Sequence, residues 1–271
     1  MAFGALAMKR CREESIMFQT ITKHQFLLEE LIKRDFDRKY KGSFFGAAWS
    51  VLNPLLTLLI MRVVFGHFFA GAIPHYTIYL FCGTVIFGFF SESASEGMLA
   101  LAGNAHIFTK VNVPKYLFLL AKNAQTFINF LLTLLVFFMF CALDGISFSW
   151  RFLMLLYPIG MLLFFNLGMG MILSALYVFF RDMQYLWGIL SQLLMYLSAV
   201  FYSIDSFSVR VQNAFLLNPL YLFIRYFRKI VIDGSFPSTG FHALMALYTI
   251  LVLLLGTWMY RRYDTEFLYY V

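Results

Sequence analysis

The chain has 271 residues, of which 61% are hydrophobic and only 13% charged. A soluble domain carries roughly 25% charged residues, so lipid rather than water must cover much of this surface. The formal net charge is +7 and nine cations precede Phe44; a cluster beside an apolar span is explained by attraction to anionic lipid, and argues against a nucleic-acid partner. Cys11, Cys82 and Cys141 lie far apart, match no metal spacing and suggest no disulfide framework. They are expected to pack as small apolar residues.

Residues 1–43 read as a cytoplasmic N-terminal region. Lys9, Arg10 and Arg12 lead into a polar stretch with Glu13, Glu14 and Lys23 rather than an apolar core, so the first span is expected to direct insertion itself. Ile21, Leu28, Leu31, Ile32 and Phe36 share one helical face, with Lys23, Glu30, Lys33, Arg34 and Asp37 opposite. This predicts an amphipathic helix, lying either along the membrane surface or against a partner subunit. The basic run Lys33, Arg34, Arg38, Lys39, Lys41 then gives way to an apolar span with Trp49 near its start. Cations stay in water at the anionic cytoplasmic leaflet and Trp prefers the boundary, so this stretch marks where the first span leaves the surface.

Six spans are predicted within a membrane domain at 44–262: about 45–69, 76–98, 116–143, 152–180, 184–201 and 241–260. Pro54 sits in the first turns of span 1. Arg62 interrupts that span and must face protein or water, or snorkel outward. Glu92 and Glu96 near the inner end of span 2 are expected to pair with Lys110 or Lys122. The segment 101–115 is a short inner loop. Gly160, Gly168 and Gly170 permit close helix contact in span 4, and Arg181-Asp182 makes a tight inner turn. Between spans 5 and 6, Phe207–Leu217 and Leu220–Val231 are each about 11–12 residues, too short to span and suited to re-entrant or interfacial helices. Pro219 predicts a break at Asn218, and Arg225, Arg228 and Lys229 share one helical face on the outer side. Arg261-Arg262 stop span 6, leaving a cytoplasmic tail at 263–271. The expected fold is therefore an all-α membrane protein with both termini cytoplasmic.

No G-x-x-x-x-G-K-[ST] is present, so this chain has no phosphate-cradling loop for ATP. His24, His67, His75, His106 and His242 are scattered and form neither a metal pair nor part of a Ser/His/Asp set. No catalytic or metal residue is assigned, and energy must come from another subunit. The positive signal is aromatic, since Phe, Tyr and Trp make up 20% of the chain. Flat C–H faces of pyranose rings stack on aromatic rings, so an aromatic-lined conduit holds a sugar chain and still lets it slide. Tyr and Trp also gather at membrane interfaces for general reasons.

Three motifs carry a resemblance: Tyr40-Lys41-Gly42-Ser43 with Phe45-Gly46, Trp49-Ser50 and Asn53-Pro54-Leu55-Leu56; Phe180-Arg181-Asp182; and Asn218-Pro219-Leu220 followed by Asp233-Gly234. In this order the chain resembles, from about Lys33 to Arg262, permease subunits of bacterial ABC-2-type exporters of O-antigen, capsule or teichoic acid. The resemblance implies a homodimer with two copies of a separate ATPase that carries ATP and Mg, moving a lipid-linked polysaccharide across the inner membrane. It implies that spans 1 and 5 line the passage, which nominates Phe45, Trp49, Phe65, Tyr196, Phe201 and Tyr202. Asn104, His106, Lys110 and Lys115 would belong to an element that docks on the ATPase. Arg34, Arg38, Lys39 and Lys41 would meet lipid phosphate, or serve as a topology signal. The alternatives are an ABC-2 permease for small lipophilic drugs, which needs a closed apolar cavity, and a membrane acyltransferase, which turns over without ATP or a partner.

Overall fold

The computed structural model describes residues 25–69, 71, 73–110 and 113–270. Expectations that rest on Cys11, Ile21, Lys23, His24 and the stretch from Lys9 to Glu14 lie outside the described residues. Among the described residues there is helix and no strand.

Helix α1 (Gln25–Tyr40) is followed by the long helices α2 (Trp49–Phe69) and α3 (Tyr76–Met98). A short α4 (Ala105–Phe108) precedes α5 (Tyr116–Leu143), then α6 (Leu156–Phe179) and α7 (Met183–Leu197). The remainder is α8 (Val209–Phe215), α9 (Pro219–Val231), α10 (Thr239–Arg262) and the terminal turn α11 (Phe267–Tyr270). Five stretches are long and apolar enough to cross a membrane, centred on α2, α3, α5, α6 and α10.

The expected span at 184–201 is a shorter helix. Fifteen residues at about 1.5 Å rise give about 22 Å, less than the ~30 Å hydrocarbon core. Its end has a tertiary cause. Ala199 takes φ 50, the left-handed region, and its carbonyl oxygen accepts from Arg228 Nη1 at 2.9 Å. Arg228 Nη2 donates to the next carbonyl, Val200, at 2.8 Å. Asn218 Nδ2 donates to the Leu197 carbonyl at 3.2 Å. A cation and an amide from α9 and its cap thus satisfy carbonyls that a continuing helix would have used.

Proline placement explains two further helix starts. Pro219 opens α9, and the Asn218 side chain accepts from Leu220 N at 3.0 Å, an N-cap. Pro158 falls in the first turn of α6, after a 3-10 stretch Trp150–Leu155, where its missing N–H costs no helix bond. Pro54 is inside α2 and frees the Ser50 carbonyl; that oxygen accepts instead from Thr133 Oγ1 of α5 at 3.4 Å.

Helix α3 is the centre of the bundle and α2 its edge: 67% of the apolar window of α3 is buried, against 6% for α2. Phe81, Ile86 and Phe90 of α3 pack with Phe137 of α5, Phe165 of α6 and Phe223 of α9. A second cluster joins α1 to the bundle through Leu31, Leu117, Phe118 and Tyr260, with Leu28 and Ile32 packed on it. The apolar face of α1 therefore lies on this chain's own helices.

Close helix approach occurs at Gly97, Gly168, Gly170 and Gly256. A Cβ on Gly168 would meet the Val252 and Leu253 backbone of α10 at 2.9 Å, and one on Gly256 would meet the Gly168 carbonyl oxygen at 2.8 Å. A Cβ on Gly97 would lie 2.9 Å from Gly170 Cα. Gly168 and Gly170 thus sit at contacts, as expected of small residues in packed spans. Gly160 differs from its expectation, because nothing lies within 4 Å of where its Cβ would be.

Candidate functional site

Polar residues on three long helices recur at helical spacing and converge. Ser50, Asn53 and Thr57 share a face of α2; Thr84, Ser91, Glu92 and Ser95 share one of α3; Asn129 and Thr133 are one turn apart on α5. With Lys39 and Tyr40 from the end of α1, they enclose a cavity of about 610 Å3 at the α1 end of the bundle. Trp49 stands on its wall.

The polar groups are cross-linked. Lys39 Nζ pairs with Glu92 Oε1, which also accepts from Asn129 Nδ2 at 2.9 Å. Tyr40 OH donates to Asn129 Oδ1 at 3.0 Å. Burial opposes the charge on Lys39, but the Coulomb attraction and hydrogen bond of Glu92 outweigh it, so the pKa of Lys39 is raised. Burial likewise raises the Tyr40 pKa, with Lys39 acting against it, so the phenol stays a donor. The cavity sets hydroxyls, amides and one ion pair among apolar walls from Val85, Phe87, Phe89 and Phe130, a surface able to meet both the hydroxyls and the C–H faces of a poly-hydroxylated ligand. At its margin Phe44, Phe45 and Trp49 form an edge-to-face chain, with centroids 5.1 and 5.6 Å apart, and all three rings are exposed.

The six nominated aromatic residues fall into two groups. Phe45 and Trp49 are at the α1 end. Phe65, Tyr196, Phe201 and Tyr202 meet toward the opposite end: Phe65 stacks on Phe201 at 4.8 Å, Tyr196 lies 5.7 Å from Phe201, and Tyr202 OH donates to the Tyr196 carbonyl at 2.9 Å. Tyr196 is exposed, whereas Phe201 is buried.

The basic run is divided in the same way. Arg34 is turned inward, donating to Asp35 Oδ1 and Asn104 Oδ1, each at 2.7 Å. Arg38 and Lys41 are exposed, with Arg38 3.8 Å from Asp35. Lys39 is held by Glu92. Of the inner-loop residues, His106 and Lys110 are exposed. Asn104 is buried, donating to the Ala100 carbonyl at 2.8 Å, and Lys115 donates to Asp264 Oδ1 at 2.7 Å. Arg62 is exposed and lines a far-end cavity of about 630 Å3 with His67 and His75.

Sequence reasoning missed the buried charge network that seats α1. Asp35 lies 3.4 Å from Lys122 Nζ, which donates to Glu96 Oε2 at 2.8 Å. The Glu96–Lys122 pair agrees with its expectation, but Glu92 takes Lys39 rather than Lys110 or Lys122. The i, i+3, i+4 runs of polar residues on apolar helices were the available signal, because a polar residue in a span faces protein or a cavity. Among the described residues no group of three or more His, Cys, Asp or Glu is placed to hold a metal.

Five helices that suit lipid and a cavity with hydrogen-bonding groups among apolar walls define a multi-span membrane protein with room to hold a ligand. The profile of the ABC-2 type transporter family matches residues 27–232, and the chain belongs to that family. It is 29% identical over 210 residues to an O-antigen export system permease protein, RfbA, of Klebsiella pneumoniae, covering 77% of this chain and 81% of the relative. It is 27% identical over 243 residues to an RfbA of Myxococcus xanthus, covering 88% and 92%. The polysialic acid transport protein KpsM of Escherichia coli is 22% identical over 237 residues, covering 86% and 92%. Two of these relatives are thus named as O-antigen export permeases and the third as a polysialic acid transport protein.

Proposed function

We propose that this chain is the membrane subunit of an ATP-driven exporter that moves a lipid-linked polysaccharide across the bacterial inner membrane. The observation that carries this reading is the α1-end cavity, where hydroxyls, amides and the Lys39–Glu92 pair stand beside the exposed Phe44, Phe45 and Trp49 rings. Amides and hydroxyls meet sugar hydroxyls, while the rings take the C–H faces. A lipophilic drug would meet the apolar part of the wall, Val85, Phe87, Phe89 and Phe130, but offers nothing to the hydroxyls and amides beside it.

In this reading two copies pair along α2 and α7, both of which carry exposed apolar rows. Leu59, Ile60 and Val63 lie on one, Leu186, Ile189 and Leu193 on the other. The passage runs between the copies, with Phe45, Trp49 and Tyr196 on its wall and Phe65, Phe201 and Tyr202 behind the last of these. Arg38 and Lys41 meet the phosphate of the lipid carrier, and Lys39 joins them when it leaves Glu92. Both termini are cytoplasmic. Two copies of a separate ATPase, with ATP and Mg, dock against exposed His106 and Lys110, while buried Asn104 and Lys115 tie that element to α1 and the tail.

The test replaces Trp49 by Ala and measures surface polysaccharide at matched membrane level of the protein. Reduced export with normal insertion is expected; full export removes Trp49 from the passage. Replacing Arg38, Lys39 and Lys41 together by Gln should impair export at normal membrane level. Inverted or lost insertion would instead make the run a topology signal.

A further inference from the structure

At the end of the bundle opposite α1 lies a second cavity, about 570 Å3, between α9, the start of α3 and the segment 203–206. Its lining holds three cations, Arg225, Arg228 and Lys229, and two carboxylates, Asp205 and Asp233. Among the described residues, no carboxylate lies within 4 Å of any of the cations.

Arg228 is the buried base of the cavity. Its N–H groups go to backbone carbonyls, Ala199 at 2.9 Å, Val200 at 2.8 Å and Tyr79 at 3.2 Å, and its guanidinium carbon lies 3.4 Å from the Tyr79 ring centroid. Dipoles and a ring face hold the cation without cancelling its charge. Arg225 and Lys229, one turn apart on α9, are half-buried over the Phe241 ring at 5.5 and 5.4 Å. Arg225 also meets the Tyr221 side chain, and both residues keep further N–H donors for a ligand. Burial raises the Asp233 pKa, with Lys229 acting against it, and Ser203 Oγ donates to Asp205 Oδ2 at 2.5 Å.

A bare phosphate would answer the cations and be repelled by both carboxylates. A neutral sugar would answer neither. A group carrying a phosphodiester and an ammonium two carbons away answers both signs within one cavity. We propose that this cavity binds a phosphoethanolamine group, with Arg225 and Lys229 on the phosphate oxygens and Asp205 and Asp233 on the ammonium. Arg228 is a positioning residue that fixes positive charge beneath the phosphate and joins α9 to α3 and the end of α7. The group can come from a bilayer headgroup or from a phosphoethanolamine substituent on a glycan.

The proposal is tested on the full purified chain in detergent with equimolar phosphatidylethanolamine and phosphatidylglycerol, reading retained lipid by native mass spectrometry. The wild type should retain the ethanolamine lipid about tenfold over the glycerol lipid, the ratio expected from one charge-assisted contact. Arg225→Gln with Lys229→Gln should lose retention of both lipids. Asp205→Asn with Asp233→Asn should retain both equally. Arg225→Lys with Lys229→Arg keeps the charges and should restore the preference, which separates lost binding from lost fold. Equal retention of the two lipids by the wild type, or unchanged retention by the double Gln variant, overturns the proposal. Titration with soluble glycerophosphoethanolamine then assigns the source: saturable binding points to the group itself, as on a glycan, and binding confined to the intact lipid points to the bilayer. The readout involves neither ATP nor export, so its failure leaves the export reading to stand or fall on surface polysaccharide.

Discussion

Replacing Lys122 by Met strands a buried carboxylate, and the cost follows from the geometry. Asp35 is 3% exposed and Lys122 5%; Lys122 Nζ lies 3.4 Å from Asp35 and 2.8 Å from Glu96. Removing one member of a buried pair costs about 3–5 kcal/mol, mostly through the charge left behind. Arg34 remains 2.7 Å from Asp35 and Glu96 is partly solvated, so the lower end applies, about 3 kcal/mol. Met keeps the apolar length of the Lys stem, so little packing is lost. For a chain of this size about 3 kcal/mol corresponds to a melting shift of about 6–12 °C. Adding Asp35→Asn removes the stranded charge and should recover about half of that shift. The assay is thermal unfolding of the full chain in detergent, with hydrogen exchange across α1 to locate the loss. A single variant that melts with the wild type, or a double variant whose loss is the sum of the two singles, would refute the reasoning.

Gly168→Ala should destabilise by about 1–3 kcal/mol, because its Cβ would press on the backbone of α10 at 2.9 Å; the same change at Gly160, which faces open space, should leave the melting temperature within a degree or two. The Lys39–Glu92 link has a defined pH window. Lys39 is raised in the folded state, so its contribution is complete below the unfolded lysine value of about 10.4 and is lost as pH rises through the folded value. The melting difference between wild type and Glu92→Gln should therefore be constant from pH 7 to 9 and begin to narrow only above about pH 10.4; a difference that already closes between pH 7 and 9 would deny the pair its role. Thr133→Val removes a hydroxyl shared between the Asn129 carbonyl at 3.0 Å and the Ser50 carbonyl at 3.4 Å and should cost about 1 kcal/mol. Pro54→Ala should reduce that cost by restoring the helix bond to the Ser50 carbonyl, and equal costs in both backgrounds would contradict the pairing.

Much of the helix layout was legible because burial in lipid is written locally. Residues 76–98 and 116–143 coincide with α3 and α5, since hydropathy and length alone delimit such helices. The end of α7 was not legible. Ala199, Val200 and Phe201 read as more apolar span, and the residue that takes their carbonyls, Arg228, comes from α9. Trp49 and Phe45 were nominated through the family resemblance, but the burial of Phe201 depends on Phe65, a residue of another helix. The polar stripes on α2, α3 and α5 were visible one helix at a time; that they face a common cavity is a tertiary fact. So is the pairing of Lys39 with Glu92, 53 residues away, which converts one member of a basic run into a wall of the cavity.

The central claim is that this chain supplies the passage and a separate ATPase supplies the work. It is tested most directly by reconstituting the chain, with and without a separate ABC ATPase, into vesicles loaded with lipid-linked polysaccharide. Translocated glycan is then read with an impermeant lectin or glycosidase. The account predicts ATP-dependent translocation only when both proteins are present, reduced by Trp49→Ala. Translocation or chemical conversion of the glycan by this chain alone, without ATP, would contradict it.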